Sequence, residues 1–158
     1  MRCNLVDPRI LTDQHLMAER RELRMIPPLL EKQVSILGKN IRSELRRKIP
    51  SQFTLGKGHM LFWLDKFKFL EGRFNALTKE MKFRGFSPDT SLTLEITLAK
   101  QHGLYYSWLP SLPDILLSKA RIVERILQKP TWYRFHSLPI SAAWVEMTYF
   151  PEQSVTDL

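Results

Sequence analysis

Cysteine is almost missing from this chain of 158 residues, with Cys3 its single representative. That excludes an internal disulfide and any CxxC metal site, and it suits a reducing compartment. No apolar run approaches the length of a membrane span, and residues 1–9 lack the apolar stretch of a signal peptide. The basic residues nowhere gather into a block of five or six, and there are no internal repeats and no low-complexity tract. His15 and His59 stand apart from any cysteine or carboxylate cluster with ligand spacing, so no metal is expected. Gly56-Lys57-Gly58 lacks both the GxxxxGK[ST] pattern and a preceding strand, which excludes a P-loop. The expectation is a cytoplasmic, nucleoid-associated protein that is not bound to a membrane, works without a cofactor and acts as a monomer.

What is present is positive charge. Lysine and arginine number 24 against 16 acidic residues, a formal net charge of +8. A domain this basic calls for a polyanion, and nucleic acid is the commonest. Hydrophobic content of 44% and charged content of 25% are ordinary for a globular chain of this length. Thr12 or Asp13 can cap a helix carrying Leu16, Leu23 and Ile26, which Pro27-Pro28 then interrupts or kinks. A second basic helical stretch covers residues 30–48. Over residues 59–84, Leu61, Leu64, Phe67, Leu70, Phe74, Leu77 and Met81 recur every three or four positions, predicting a long amphipathic helix closed by Gly85. Residues 87–112 read as a connection with one short helix inside 92–101. Pro113-Asp114 opens another main helix, with Leu116, Ala120, Val123 and Leu127 as its apolar face. The class is all-α.

Several blocks of this sequence occur together in one known family. Met1-Arg2-Cys3-Asn4-Leu5 is followed by Asp13-Gln14-His15-Leu16-Met17-Ala18-Glu19-Arg20-Arg21-Glu22-Leu23, then by Phe53-Thr54-Leu55-Gly56-Lys57-Gly58-His59 with Asp65-Lys66. Arg84-Gly85-Phe86 comes next, and Ala120-Arg121 precedes Lys129-Pro130-Thr131-Trp132-Tyr133-Arg134. In order and spacing these blocks resemble the pyrimidine dimer DNA glycosylases, the phage endonuclease V family. The resemblance implies a single compact domain of about three main helices with long connecting loops. It assigns residues 1–142 to that helical domain and leaves 143–158 as a C-terminal extension.

It also implies a chemistry. An α-amino group has a reference pKa of roughly 7.7–8.0 against about 10.4 for lysine, so near neutral pH a real fraction is already nucleophilic. Cationic neighbours such as Arg2 or Arg21 would lower it further. Such an amine can attack the anomeric carbon of a damaged nucleotide, or the aldehyde of an abasic site, and form an imine. The imine acidifies the adjacent sugar carbon, whose deprotonation expels the 3′ phosphate by β-elimination. A nearby carboxylate is needed to stabilise positive charge and move protons. By resemblance this is Glu22, whereas helical periodicity alone leaves Glu19 and Glu22 open, and either one could simply pair with Arg20, Arg21 or Arg24. The family's amine belongs to a threonine. Here Met1 stands in its column, and because Arg2 is too large to permit trimming, the Met1 amine is the expected nucleophile. An inactive relative, or one that recruits a lysine such as Lys57, is the alternative. Cys3 reads as a small buried apolar residue rather than a thiol nucleophile.

The expected nucleic-acid contacts are Arg2, Asn4, Gln14, His15, Arg21, Arg24 and Lys57, with Arg121 and Arg125 at i and i+4 on one helix face. Trp132 and Tyr133 next to Arg134 interleave aromatics with positive charge, an arrangement that stacks on bases and holds the backbone; for Trp132 the expectation is packing on the core. The partner implied is damaged double-stranded DNA, with the family's base flipping. Arg20 stands where the family has tyrosine, and this change, with the altered N-terminus and tail, leaves RNA or another lesion as an alternative substrate. A non-catalytic nucleic-acid-binding module is the remaining alternative.

Overall fold

The computed structural model of the chain describes residues 3–151. Met1 and Arg2, and the last seven residues of the expected extension, lie outside the described residues. Seven α-helices occur among the described residues, with a single two-stranded ribbon, so the all-α class holds. They are α1 (Asp13–Leu23), α2 (Ile26–Leu37), α3 (Ile41–Lys48), α4 (Phe67–Phe83), α5 (Thr97–Gln101), α6 (Leu112–Gln128) and α7 (Ala142–Tyr149). None is long and apolar enough to cross a membrane. Contacts group the described residues into two compact units, one of residues 3 and 18–109, the other of residues 4–17 and 110–151, so α1 contributes to both.

In the first unit, α1 stops at Leu23 and Ile26 opens α2, with Pro27 and Pro28 in the first turn where no backbone donor is missed. Ile26 therefore belongs to α2 and not to the face of α1. Gly38, at φ 52°, turns the chain from α2 through a 3-10 turn into α3. The long helix expected over residues 59–84 is shorter. Residues 61–63 form a 3-10 turn, and α4 begins only at Phe67. The interruption has a cause at Lys66, whose backbone bridges Tyr105 while its ammonium donates to the Phe62 carbonyl at 2.9 Å and to Asp65 at 2.6 Å. Trp63 and Phe62 pack edge-on against Trp108 and Phe53, and with Leu64, Phe67, Leu70 and Leu77 they form the core of this unit. The short helix in the connection is α5, confined to five residues.

In the second unit, Ser111 caps α6 through a capping box with Asp114, with Pro113 in the first turn. The buried stripe of α6 is Ser118, Ile122 and Ile126, whereas Leu116 and Leu127 of the expected apolar face are exposed. The helix carries apolar residues on two faces, and the buried one is disguised by Ser118, whose hydroxyl accepts from the Leu5 backbone at 2.9 Å. Ser141 caps α7, which buries Val145 and Tyr149, and the Tyr149 hydroxyl donates to the Ile10 carbonyl at 2.8 Å.

Candidate active site and nucleic-acid interface

The second half of α1 separates the two glutamates. Glu19 is wholly buried, and its two oxygens take a bidentate pair from Arg73 of α4, at 2.6 Å from Nε and 3.0 Å from Nη2. Cys3 is buried beside it; burial, reinforced by the Glu19 carboxylate, raises its thiol well above the ordinary value, and the thiol donates to Glu19. Glu22, one turn further on, is half-buried and flanked by the exposed Arg21 and Arg24. Of the two carboxylates, Glu19 is thus committed inside the fold and Glu22 stands at its edge.

Arg20 turns inward as well. It donates to the Thr78 hydroxyl at 2.8 Å and to the Asp89 and Leu92 carbonyls at 2.7 and 3.3 Å, with its guanidinium carbon 4.6 Å from the centre of the Phe74 ring. Burial, with Arg24 nearby, lowers its pKa. Arg20 therefore ties α1 to α4 and to the following connection. Lys57 is exposed in a turn held by Gly56, whose carbonyl meets the His59 ring at 2.9 Å.

The first turn of α1, in the second unit, works as a clamp. Thr12 caps the helix by accepting from the His15 backbone at 3.3 Å. The Asp13 carboxylate accepts from the backbone of His136 at 3.2 Å and of Ser137 at 2.7 Å, the two positive-φ residues that turn β1 (Arg134–Phe135) into β2 (Leu138–Pro139). The Gln14 amide donates to the Trp132 carbonyl and accepts from the Arg134 backbone, both at 2.9 Å. His15 stacks on Tyr133, ring centres 4.7 Å apart. Three consecutive side chains thus fix residues 132–137 and leave Trp132 62% exposed, not packed on the core as expected. Backbone hydrogen bonds to Gln14 on either side of Tyr133 turn that ring inward and its neighbour outward.

Asn4 and His15 are buried, and the Gln14 amide is bonded to the backbone of residues 132 and 134. Arg121 and Arg125 lie half-buried along α6, Arg125 donating to Gln128 at 3.3 Å with its Nε buried. Arg134 donates to the Thr131 and Tyr133 carbonyls. Sequence reasoning missed Asp13 as a clamp and Arg73 as the partner of Glu19. Arg73 carried a signal, since it falls on the stripe of Leu70, Phe74 and Leu77, where a basic residue demands a buried partner.

A family model described as pyrimidine dimer DNA glycosylase matches residues 1–94. The chain belongs to that family. The matched region holds all of α1 with Glu19, Arg20, Arg21 and Glu22, and Arg73 of α4, so membership implies a DNA repair glycosylase directed at damaged DNA. The aromatic segment around Trp132 lies beyond the match.

Proposed function

We propose that this chain is a glycosylase and abasic-site lyase that works through a Schiff base, with the Met1 amine as nucleophile and Glu22 as the carboxylate beside it. The supporting observation is the commitment of Glu19 to Arg73 and Cys3, which leaves Glu22 as the α1 carboxylate accessible from outside. The amine adds to the anomeric carbon as the glycosidic bond breaks, Glu22 supports the cationic sugar, and ring opening gives the imine. Loss of a proton from the adjacent carbon, taken up by Glu22, expels the 3′ phosphate, and water then hydrolyses the imine to return the free amine. No step calls on a metal ion.

In this reading Arg21, Arg24 and Lys57 are the DNA contacts of the first unit, and Trp132, Arg121, Arg125 and Arg134 are those of the second. Gln14, His15 and Asn4 serve as positioning residues, acting through residues 132–134 or the N-terminal segment. Borohydride reduction on an abasic duplex is expected to yield a covalent adduct in the peptide that begins with Met1. No adduct, or one on Lys57, overturns the assignment. Mass measurement of the intact N-terminus checks that Met1 is retained and its amine unblocked.

A further inference from the structure

The first unit contains a cavity of about 320 Å3 walled by Arg42, Arg46, Lys66 and Tyr106, with Ile49 and Pro50 as its accessible apolar floor. None of its lining residues is among those assigned above to the chemistry or to DNA. Its volume equals that of about ten water molecules, enough for one nucleotide and too little for a duplex. Three cations face Asp65 alone, and Asp65 is paired with Lys66.

The two arginines are what the fold itself does not explain. Arg46 stands in the last turn of α3, where the helix dipole welcomes a cation, but Arg42 stands in the first turn, where it does not. The pair is spaced i, i+4, so the like charges also repel. Glu44, the acidic residue of α3, lies 3.4 Å from Arg47 instead, and Arg46 has no partner among the described residues. Arg42 is nonetheless held in place. Its Nη2 donates to the Tyr106 hydroxyl at 3.3 Å, and its guanidinium lies against Gly103, where an added methyl group would come 3.3 Å from Cζ. Gly103 has φ +64°, so it serves both the turn after α5 and the close approach of the guanidinium. A preorganised guanidinium, a second free one and an apolar floor match a phosphate carried on a ring.

We propose that this cavity binds the terminal monophosphate of a nucleotide, with the phosphate on Arg42 and Arg46 and the base over Ile49 and Pro50. Free nucleotides and phosphorylated strand ends share this chemistry, and the test separates them. Calorimetry on the full chain would use thymidine 5′-monophosphate, thymidine, inorganic phosphate, and a trinucleotide with and without a 5′ phosphate. Thymidine monophosphate is expected to bind at least about tenfold more tightly than thymidine or inorganic phosphate, as one charge-assisted phosphate contact implies. Arg42→Gln and Arg46→Ser should each weaken it at least about tenfold with melting temperature unchanged, and Arg21→Ser should leave it intact. Preference for the phosphorylated trinucleotide over the bare one identifies strand ends as ligands, and binding of the mononucleotide alone identifies free nucleotides. Equal affinity for thymidine or inorganic phosphate, or variants that bind like the parent or fail only with Arg21→Ser, overturns the proposal.

Discussion

Two glutamates three positions apart on one helix face different surroundings, and their replacement separates stability from chemistry. Glu19 and Arg73 form a buried bidentate pair, so Arg73→Ala strands a carboxylate without its partner and is expected to cost about 3–5 kcal/mol, read from urea denaturation. Glu22→Gln, at a half-buried position, should change stability by less than about 1 kcal/mol while abolishing strand cleavage and sparing DNA binding. Equal destabilisation by both would remove the distinction drawn here. The Cys3 thiol gives a pH prediction. Burial and the Glu19 carboxylate raise it in the folded state well above its ordinary 9.0. A group whose folded pKa is raised contributes stability that is fully present below the unfolded value and lost as pH climbs past it. Stability should therefore fall above about pH 9 more steeply in the parent than in Cys3→Ala, and a thiol reagent at pH 8 should modify Cys3 only after unfolding.

At the scale of elements, the first turn of α1 and the ribbon β1–β2 form one working assembly. Asp13→Ala removes both acceptors for the His136 and Ser137 backbone, where positive φ already strains non-glycine residues, and is expected to cost about 1–3 kcal/mol. Because the same segment presents Trp132, affinity for abasic duplex should drop alongside, as fluorescence anisotropy would measure; unchanged affinity would detach the ribbon from DNA binding. The boundaries of α4 and the buried face of α6 show where pattern reading stops. Apolar spacing over residues 59–84 marked the right core residues, since Leu64, Phe67, Leu70 and Leu77 are all fully buried. It gave one helix too long, because the bridge between Lys66 and Tyr105 competes for the backbone from across the unit. On α6 the period was right and the phase wrong, for Ser118 in the core looks polar until its partner at Leu5 is known.

At the scale of the whole molecule, a formal charge of +8 makes duplex binding steeply dependent on salt. Replacing an exposed phosphate-contacting arginine should lower the slope of log K against log salt by about 0.9, and Arg21→Ser is the variant to measure. A slope equal to the parent's would take Arg21 out of the interface.

The chain's own order of residues determined the helical class, the membership of a DNA repair family and the stretch of α1 on which the chemistry was sought, because periodicity, charge and motif spacing are local properties that survive without coordinates. Tertiary structure alone paired Glu19 with Arg73, turned Arg20 inward, exposed Trp132 and set Arg42 against Gly103. Each of those outcomes depends on a partner 50 to 120 positions away in the chain. The energy of a buried charge or amide is fixed by the group that meets it, and that group is chosen by packing.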